Sequence, residues 1–176
     1  MIEIGNGFSL SQIAAKDKEM LTIYLNDREI YNNTLRLPHP YTLKEAEWWI
    51  HFVENNKKET GRLNHFTIRD INRNLIGGIG FNNKYGKNSN RDEIGYWLAR
   101  PFWNKGIMTE TVKKICTIAF DEYNYEILEA MVFSFNIASA RVLEKNGFKK
   151  AGIIKNYAFK NNADIDGYYY SIAKTL

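Results

Sequence analysis

The chain has 176 residues, 44% of them hydrophobic and 25% charged, which suits one globular domain spanning residues 1–176. No apolar run approaches the ~20 residues that cross a bilayer, and the N-terminus lacks a signal-peptide pattern, so a membrane partner is excluded and a cytoplasmic location is expected. The single cysteine, Cys116, rules out an intrachain disulfide, and the mild basic balance (+4, pI about 9.0) includes no dense Lys/Arg tract that would point to nucleic acid.

Taken in chain order, residues 2–12 are short and apolar enough to include a first strand. Asp17 can cap a helix running to about Asp27, with Met20, Leu21, Tyr24 and Leu25 on one side. Residues 35–41 (LRLPHPY) carry two prolines and read as an irregular, extended loop. Thr42 and Glu45 have capping-box spacing, and the helix behind them places Leu43, Ala46, Ile50 and Val53 on one face. Residues 64–69, 75–81 (LIGGIGF) and 93–99 (EIGYWLA) read as strands of an antiparallel meander. Glycines inside the second strand imply a bulge or a close backbone approach. The polar loop at 82–92 (NNKYGKNSNRD) reads as a hairpin connection. A helix over 106–123 puts Val112, Ile115, Cys116 and Ala119 at helical spacing, which makes Cys116 a core residue and not a nucleophile. Residues 127–133 (ILEAMVF) form a short apolar strand. Asn136 can cap a further helix that ends at Asn146-Gly147, and residues 148–154 and 167–173 read as strands around a polar turn. A strand-helix-strand crossover therefore interrupts an otherwise antiparallel sheet. The fold class is α/β, or α+β, with a mixed sheet flanked by helices.

Chemistry concentrates in residues 97–109 (WLARPFWNKGIMT). A strand ends near Ala99, Pro101 stops the ladder, and a tight turn through Asn104, Lys105 and Gly106 runs straight into a helix. The first N–H groups of a helix lack internal partners, and its dipole favours an anion there. Gly106 permits close backbone approach and Lys105 adds positive charge. On these residues alone, a phosphate site and an ordinary strand-to-helix turn both remain open. Neither G-x-G-x-x-G at the turn nor a P-loop occurs, and His39, His51 and His65 lack metal-ligand spacing.

Residues 93–112 (EIGYWLARPFWNKGIMTETV) resemble the cofactor motif of the GCN5-related N-acetyltransferase superfamily, usually written [QR]-x-x-G-x-[GA]. They are most similar to the branch of the ribosomal-protein alanine acetyltransferases. Trp103, Asn104, Lys105, Gly106, Ile107 and Met108 fill the frame; Gly106 matches, whereas Trp103 and Met108 depart from the consensus. Residues 133–149 (FSFNIASARVLEKNGFK) are similar to the second signature, N-x-x-[SA]-x-x-x-[LY]-E-K-x-G-F, with Asn136, Ser139, Glu144, Lys145, Gly147 and Phe148 in register. The prolines of residues 37–41 and the helix after Thr42 also resemble this branch, so the likeness covers nearly the whole chain.

The resemblance implies acetyl-CoA as co-substrate and direct attack by a primary amine on the thioester, without an acyl-enzyme. It implies pantetheine along Trp97, Leu98 and Ala99, and pyrophosphate at Trp103, Asn104, Lys105, Gly106, Ile107, Met108 and Thr109. Asn136 and Ser139 would reach the pantetheine arm or the sulfur, and Lys145 belongs to the same set. Glu93 is the candidate general base, acting directly or through water, while its neighbour Asp92 would face the other way. Leu143 stands where many relatives place a tyrosine acid, which leaves Ser139 as the donor nearest the sulfur. Tyr157, Tyr168, Tyr169 and Tyr170 are alternative donors with core roles open to them. The acceptor would meet Tyr31, Asn32, Thr34, His39, Tyr41 and Trp49. Its first identity is the α-amino group of a protein or peptide; the second is a small amine such as a polyamine, an aminoglycoside or an amino-acid derivative. Residues 35–41 carry no carboxylate, which disfavours a polycation. The absent tyrosine keeps a non-catalytic acyl-CoA-binding module as the alternative. A monomer or homodimer is expected.

Overall fold

An Asn-Gly pair opens the structure, a computed structural model that describes residues 1–86 and 88–175. Lys87, in the polar loop, and Leu176, the final residue, lie outside the described residues. Strands β1 (Ile2–Gly5) and β2 (Phe8–Ser11) are joined through Asn6 at φ 52° and Gly7 at φ 78°. Two successive left-handed residues make the turn that matches strand twist. Residues 2–12 therefore hold a hairpin where one strand is expected, and Asn6-Gly7 is the signal for it.

The chain forms two compact units, Met1–Gly80 with Tyr96–Ile107, and Phe81–Gly95 with the chain from Met108 on. The first contains helices α1 (Lys18–Leu25), α2 (Arg28–Asn32) and α3 (Leu43–Thr60) and strand β3 (His65–Arg69), together with most of β4 (Leu75–Phe81). Strand β2 pairs antiparallel with β3, and β3 with β4. Leu21, Leu25, Ile30, Ala46, Ile50, Val53 and Leu75 share one buried cluster, each worth ~1.5–3 kcal/mol for a large apolar side chain. Helix α3 begins with the expected capping box of Thr42 and Glu45 and ends at Gly61, φ 73°. Leu43, expected on the buried face, is 48% exposed, since it precedes the apolar stripe by one step.

Asp17 also departs from expectation. It sits just before α1 but makes no side-chain cap bond to it. Its carboxylate instead meets the Arg69 guanidinium with two bonds of 2.6 and 2.7 Å and accepts the Ala14 N–H at 2.8 Å. A buried guanidinium outcompetes a solvent-facing helix end for a carboxylate. The helix expected to reach Asp27 stops at Leu25, and Asp27 caps α2 by accepting the Glu29 N–H at 2.8 Å. The glycines of β4 answer to Trp97: a Cβ on Gly77 would lie 2.7 Å from the Trp97 carbonyl oxygen, and one on Gly78 would lie 2.8 Å from Trp97 Nε1. Close approach, one of the two readings of those glycines, is what they permit.

The second unit holds most of β5 (Arg91–Leu98) and α4 (Ile107–Thr117), then a π-helical turn (Ile118–Glu122), β6 (Ile127–Phe133), α5 (Ile137–Lys145), β7 (Lys149–Lys160) and β8 (Ala163–Ala173). Strands β5 and β6 run parallel, as a crossover through α4 requires, with Arg91 opposite Ile127 and Glu93 opposite Glu129. Strand β6 then pairs antiparallel with β8 along its whole length, and β8 with β7. The strand order is β1-β2-β3-β4-β5-β6-β8-β7, a mostly antiparallel mixed sheet. The last hairpin is longer than expected because Asn161 and Asn162, φ 52° and 60°, make its turn. Tyr170 is buried and donates to Glu144 at 2.9 Å, and Leu143 is fully buried. Among the described residues no helix is long and apolar enough to cross a membrane.

Candidate active site

Where β5 ends, Ala99 donates its N–H to the Ile76 carbonyl at 2.8 Å, and Arg100–Phe102 form one 3-10 turn. Trp103 folds back so that its indole Nε1 donates to the Leu98 carbonyl at 2.6 Å. Asn104 at φ 60° and Gly106 at φ 74° then bend the chain, and α4 begins at Ile107. A Cβ on Gly106 would meet nothing within 4 Å, so glycine is required there for its backbone and not for space. Asn104, Lys105 and Gly106 are exposed, whereas Ile107 and Met108 are buried at 3% and 7%. Those two side chains anchor the helix in the interior; what the turn offers a ligand is backbone N–H, the positive helix end and the Lys105 ammonium. Thr109 accepts from Asn146 Nδ2 at 3.1 Å, which fixes the first turn of α4. The half-buried Cys116 thiol lies further along this helix and is pushed up to about 12 by burial, which disfavours the thiolate; the side chain sits at the edge of the core and not within it.

Asn136 caps α5, its Oδ1 accepting the Ser139 N–H at 3.1 Å. The two residues are therefore brought together, with Ser139 in the first helical turn. Lys145 lies exposed at the other end of the same helix.

Glu93 is 7% exposed and both of its carboxylate oxygens are bonded. Asn82 Nδ2 donates to Oε1 at 2.9 Å and Lys84 Nζ to Oε2 at 2.8 Å. Asp92 turns the other way, as expected, and accepts the N–H groups of Asn83 and Lys84 at 3.0 Å each and the Tyr125 hydroxyl at 3.2 Å. Opposite Glu93 in the ladder lies Glu129, fully buried. Tyr85 donates its hydroxyl to Glu129 Oε2, Lys84 Nζ lies 3.6 Å from the same oxygen, and Arg91 Nε lies 3.7 Å from Oε1. Burial works against the Lys84 ammonium, but hydrogen bonding and charge from Glu93, then Tyr85, hold it above the ordinary lysine range. Tyr169 is pushed up to about 12, first by burial and then by its bond to Glu129.

The residues expected around the acceptor fall in α2, in the loop behind it and on the core of the first unit. Tyr31 and His39 come together, ring centroids 5.2 Å apart, and His39 Nδ1 is buried without a hydrogen-bond partner among the described residues. Asn32 closes α2, and Thr34 donates to the Ile30 carbonyl at 2.8 Å just beyond it. Tyr41 is buried in the first unit's core, and burial followed by the charge of Glu45 raises its phenol above the usual range. Trp49 packs on that core and against Phe52 and His65, with Trp48 stacked on Phe52 at 5.4 Å. An open cavity of about 420 Å³ is lined by Ile23, Tyr24, Asp27, Arg100 and Pro101; its carboxylate, Asp27, is already paired with Arg100 at 3.0 Å.

Lys84, Glu129, Tyr85 and Arg91 are absent from the sequence-derived site. Glu129 carried the available signal, a lone carboxylate in the middle of the apolar run ILEAMVF. Nothing short of the ladder register places it opposite Glu93.

Residues 8–149 match the acetyltransferase (GNAT) domain family, and the chain belongs to that family. It is an N-acetyltransferase with acetyl-CoA as donor co-substrate. The chain is 36% identical over 165 residues to the uncharacterized N-acetyltransferase YoaA of Bacillus subtilis (strain 168), covering 94% of this chain and 92% of that protein. Its fold is similar to the ribosomal-protein-S5-alanine acetyltransferase of Vibrio fischeri, with a TM-score of 0.82 at 24% identity over 96% and 94% of the two chains. It is also similar to RimL, a ribosomal L7/L12 α-N-protein acetyltransferase solved with coenzyme A, with a TM-score of 0.86 at 18% identity over 98% and 97%.

Proposed function

We propose that residues 1–176 work as one N-acetyltransferase domain that acetylates the α-amino group of a protein or peptide. The family match runs through both compact units, which supports one working domain. The amine attacks the thioester carbonyl of acetyl-CoA directly. Its nitrogen bonds to the acetyl carbon, the carbon–sulfur bond breaks, and CoA leaves as thiolate. Backbone N–H groups of Gly106, Ile107, Met108 and Thr109, with Lys105, receive the pyrophosphate; Trp103 and Asn104 shape that turn. Trp97, Leu98 and Ala99 line the pantetheine, and Asn136, Ser139 and Lys145 form the rest of the donor site. Glu93 takes the amine's proton, and the Ser139 hydroxyl donates toward the departing sulfur. Tyr31 and His39 form the acceptor contact, with Asn32, Thr34, Tyr41 and Trp49 shaping the wall behind.

The observation that carries the choice of acceptor is the absence of a carboxylate from the loop at residues 35–41. That loop, LRLPHPY, lies among the proposed acceptor residues His39 and Tyr41 and brings one cation, Arg36, and no carboxylate. Polyamine recognition needs carboxylates free to meet several ammonium groups. A single terminal amine makes no such demand, and the likeness to two ribosomal-protein acetyltransferases, one of them an α-N-protein acetyltransferase, points the same way. The test is thiol release from acetyl-CoA across a panel of N-terminal peptides, spermidine, an aminoglycoside and free amino acids. Peptide turnover with N-terminal acetylation seen by mass spectrometry is expected. Faster turnover of spermidine or of a free amino acid would replace this reading. CoA binding without turnover of any amine would favour a non-catalytic module.

A further inference from the structure

The geometry points to Lys84 as a positioning residue for acetyl transfer: its ammonium occupies the place on Glu93 that the acceptor's ammonium must take, and it neutralises the Glu93–Glu129 carboxylate pair until then. This inference rests on the proposed role of Glu93 as the base. Three observations carry it. First, Lys84 is chemically a primary alkylammonium, the same group the acceptor brings, and it is seated at 2.8 Å from Glu93 Oε2. Second, the exposures are unequal. The Lys84 side chain is 38% exposed while those of Glu93 and Glu129 are 9% and 1% exposed, so the cation can leave toward solvent and the carboxylates cannot. Third, the lysine is aimed. Asp92, held by Tyr125, accepts the backbone N–H groups of Asn83 and Lys84, which fixes where the flexible stem begins.

The charges around Glu93 come from every neighbouring element. The loop supplies Lys84 and Tyr85, β5 supplies Arg91 and Asp92, β6 supplies Glu129, and β8 supplies Tyr169 against Glu129. Arg91 lies 4.0 Å over the Tyr85 ring and 3.7 Å from Glu129 Oε1, an oxygen without a hydrogen bond among the described residues. Without Lys84, the two facing carboxylates would keep one nearby cation among the described residues, Arg91. Facing carboxylates with less compensating charge ionise less readily, so a base in that setting needs a higher pH. The raised Lys84 ammonium is the reciprocal sign of the same coupling.

The test is the pH dependence of kcat/KM for the acceptor in the full chain, for wild type, Lys84→Met, Lys84→Arg and Glu93→Gln. Lys84→Gln is measured alongside in case the methionine variant does not fold. The acid limb should move up by about one pH unit in Lys84→Met or Lys84→Gln and return in Lys84→Arg, while acceptor KM falls without Lys84 because the competitor is gone. If Glu93→Gln is slow but the Lys84 variants keep the wild-type profile and KM, the role of Lys84 is overturned and that of Glu93 stands. If Glu93→Gln keeps the wild-type rate and profile, the base assignment itself fails.

Discussion

Two buried ion networks in this chain are built from the same kinds of group and differ in how completely they close. At Asp17–Arg69 both side chains are nearly sealed, 4% and 5% exposed, and the contact is bidentate. Arg69 also donates to Ser11 Oγ at 2.7 Å and to the carbonyls of Gln12 and Arg73. At Glu93–Glu129 two carboxylates share cations that reach in from solvent, Lys84 and Arg91, each about two-fifths exposed, and Glu129 Oε1 has no hydrogen bond among the described residues. A closed network has one arrangement, so it fixes structure. An open one can exchange a partner, as the proposed role of Glu93 as base requires.

The largest expected effect tests the closed side. Asp17→Ala leaves Arg69 charged and unpaired in the interior and should cost ~3–5 kcal/mol in urea unfolding, whereas Asp17→Leu with Arg69→Met should recover most of it. A loss under ~1 kcal/mol in the single variant would show that Arg69 finds water, and the two networks would not differ in kind. On the open side, Glu93→Gln keeps the shape and removes the charge. The rate should fall about 10²–10⁴-fold, with acetyl-CoA affinity unchanged. A fall in affinity instead would move Glu93 from chemistry to donor binding.

A third prediction separates both networks from general acid sensitivity. His65 sits against Trp49 and Phe52, and burial lowers its imidazole to about 4. An unfolded histidine takes a proton near pH 6.5, while the folded one resists until about 4. Stability is therefore retained above pH 6.5 and lost as the pH falls toward 4, by on the order of 3 kcal/mol. Thermal melts of His65→Gln across that range should be flatter than those of wild type. Parallel curves would assign the acid loss elsewhere.

These networks also mark the limit of what could be read from the sequence. Features within one element were legible: the Thr42–Glu45 box, the Asn136 cap, the Gly106 bend, and the strands 75–81 and 127–133 as observed. Long-range pairings were not. Local pattern makes Asp17 a cap because its partner, Arg69, lies 52 residues away. Resemblance proposes Glu93, but Lys84 and Glu129 reach it through a loop and a ladder register that no local pattern encodes. Leu43 failed for a smaller reason, an apolar residue at the first helical position with nothing yet beneath it.

The smallest expected effect belongs to the donor turn, which holds its proposed ligand by backbone instead of by exchangeable charge. Gly106→Ala adds a methyl that meets no atom, so any cost is conformational: an L-residue at φ 74° is disfavoured by roughly 1–2 kcal/mol. Part of that strain would be relieved by moving the N–H groups at the start of α4. The KM for acetyl-CoA should then rise several-fold while the pH profile for the acceptor stays that of wild type. The contrast with Lys84 is in the readout. A backbone site changed by strain alters donor affinity at every pH alike, whereas a carboxylate pair stripped of its cation alters the pH at which the acceptor reacts. A pH-dependent change in Gly106→Ala would mean that the turn and the Glu93 network are coupled, and that charge also acts where backbone alone is proposed to act.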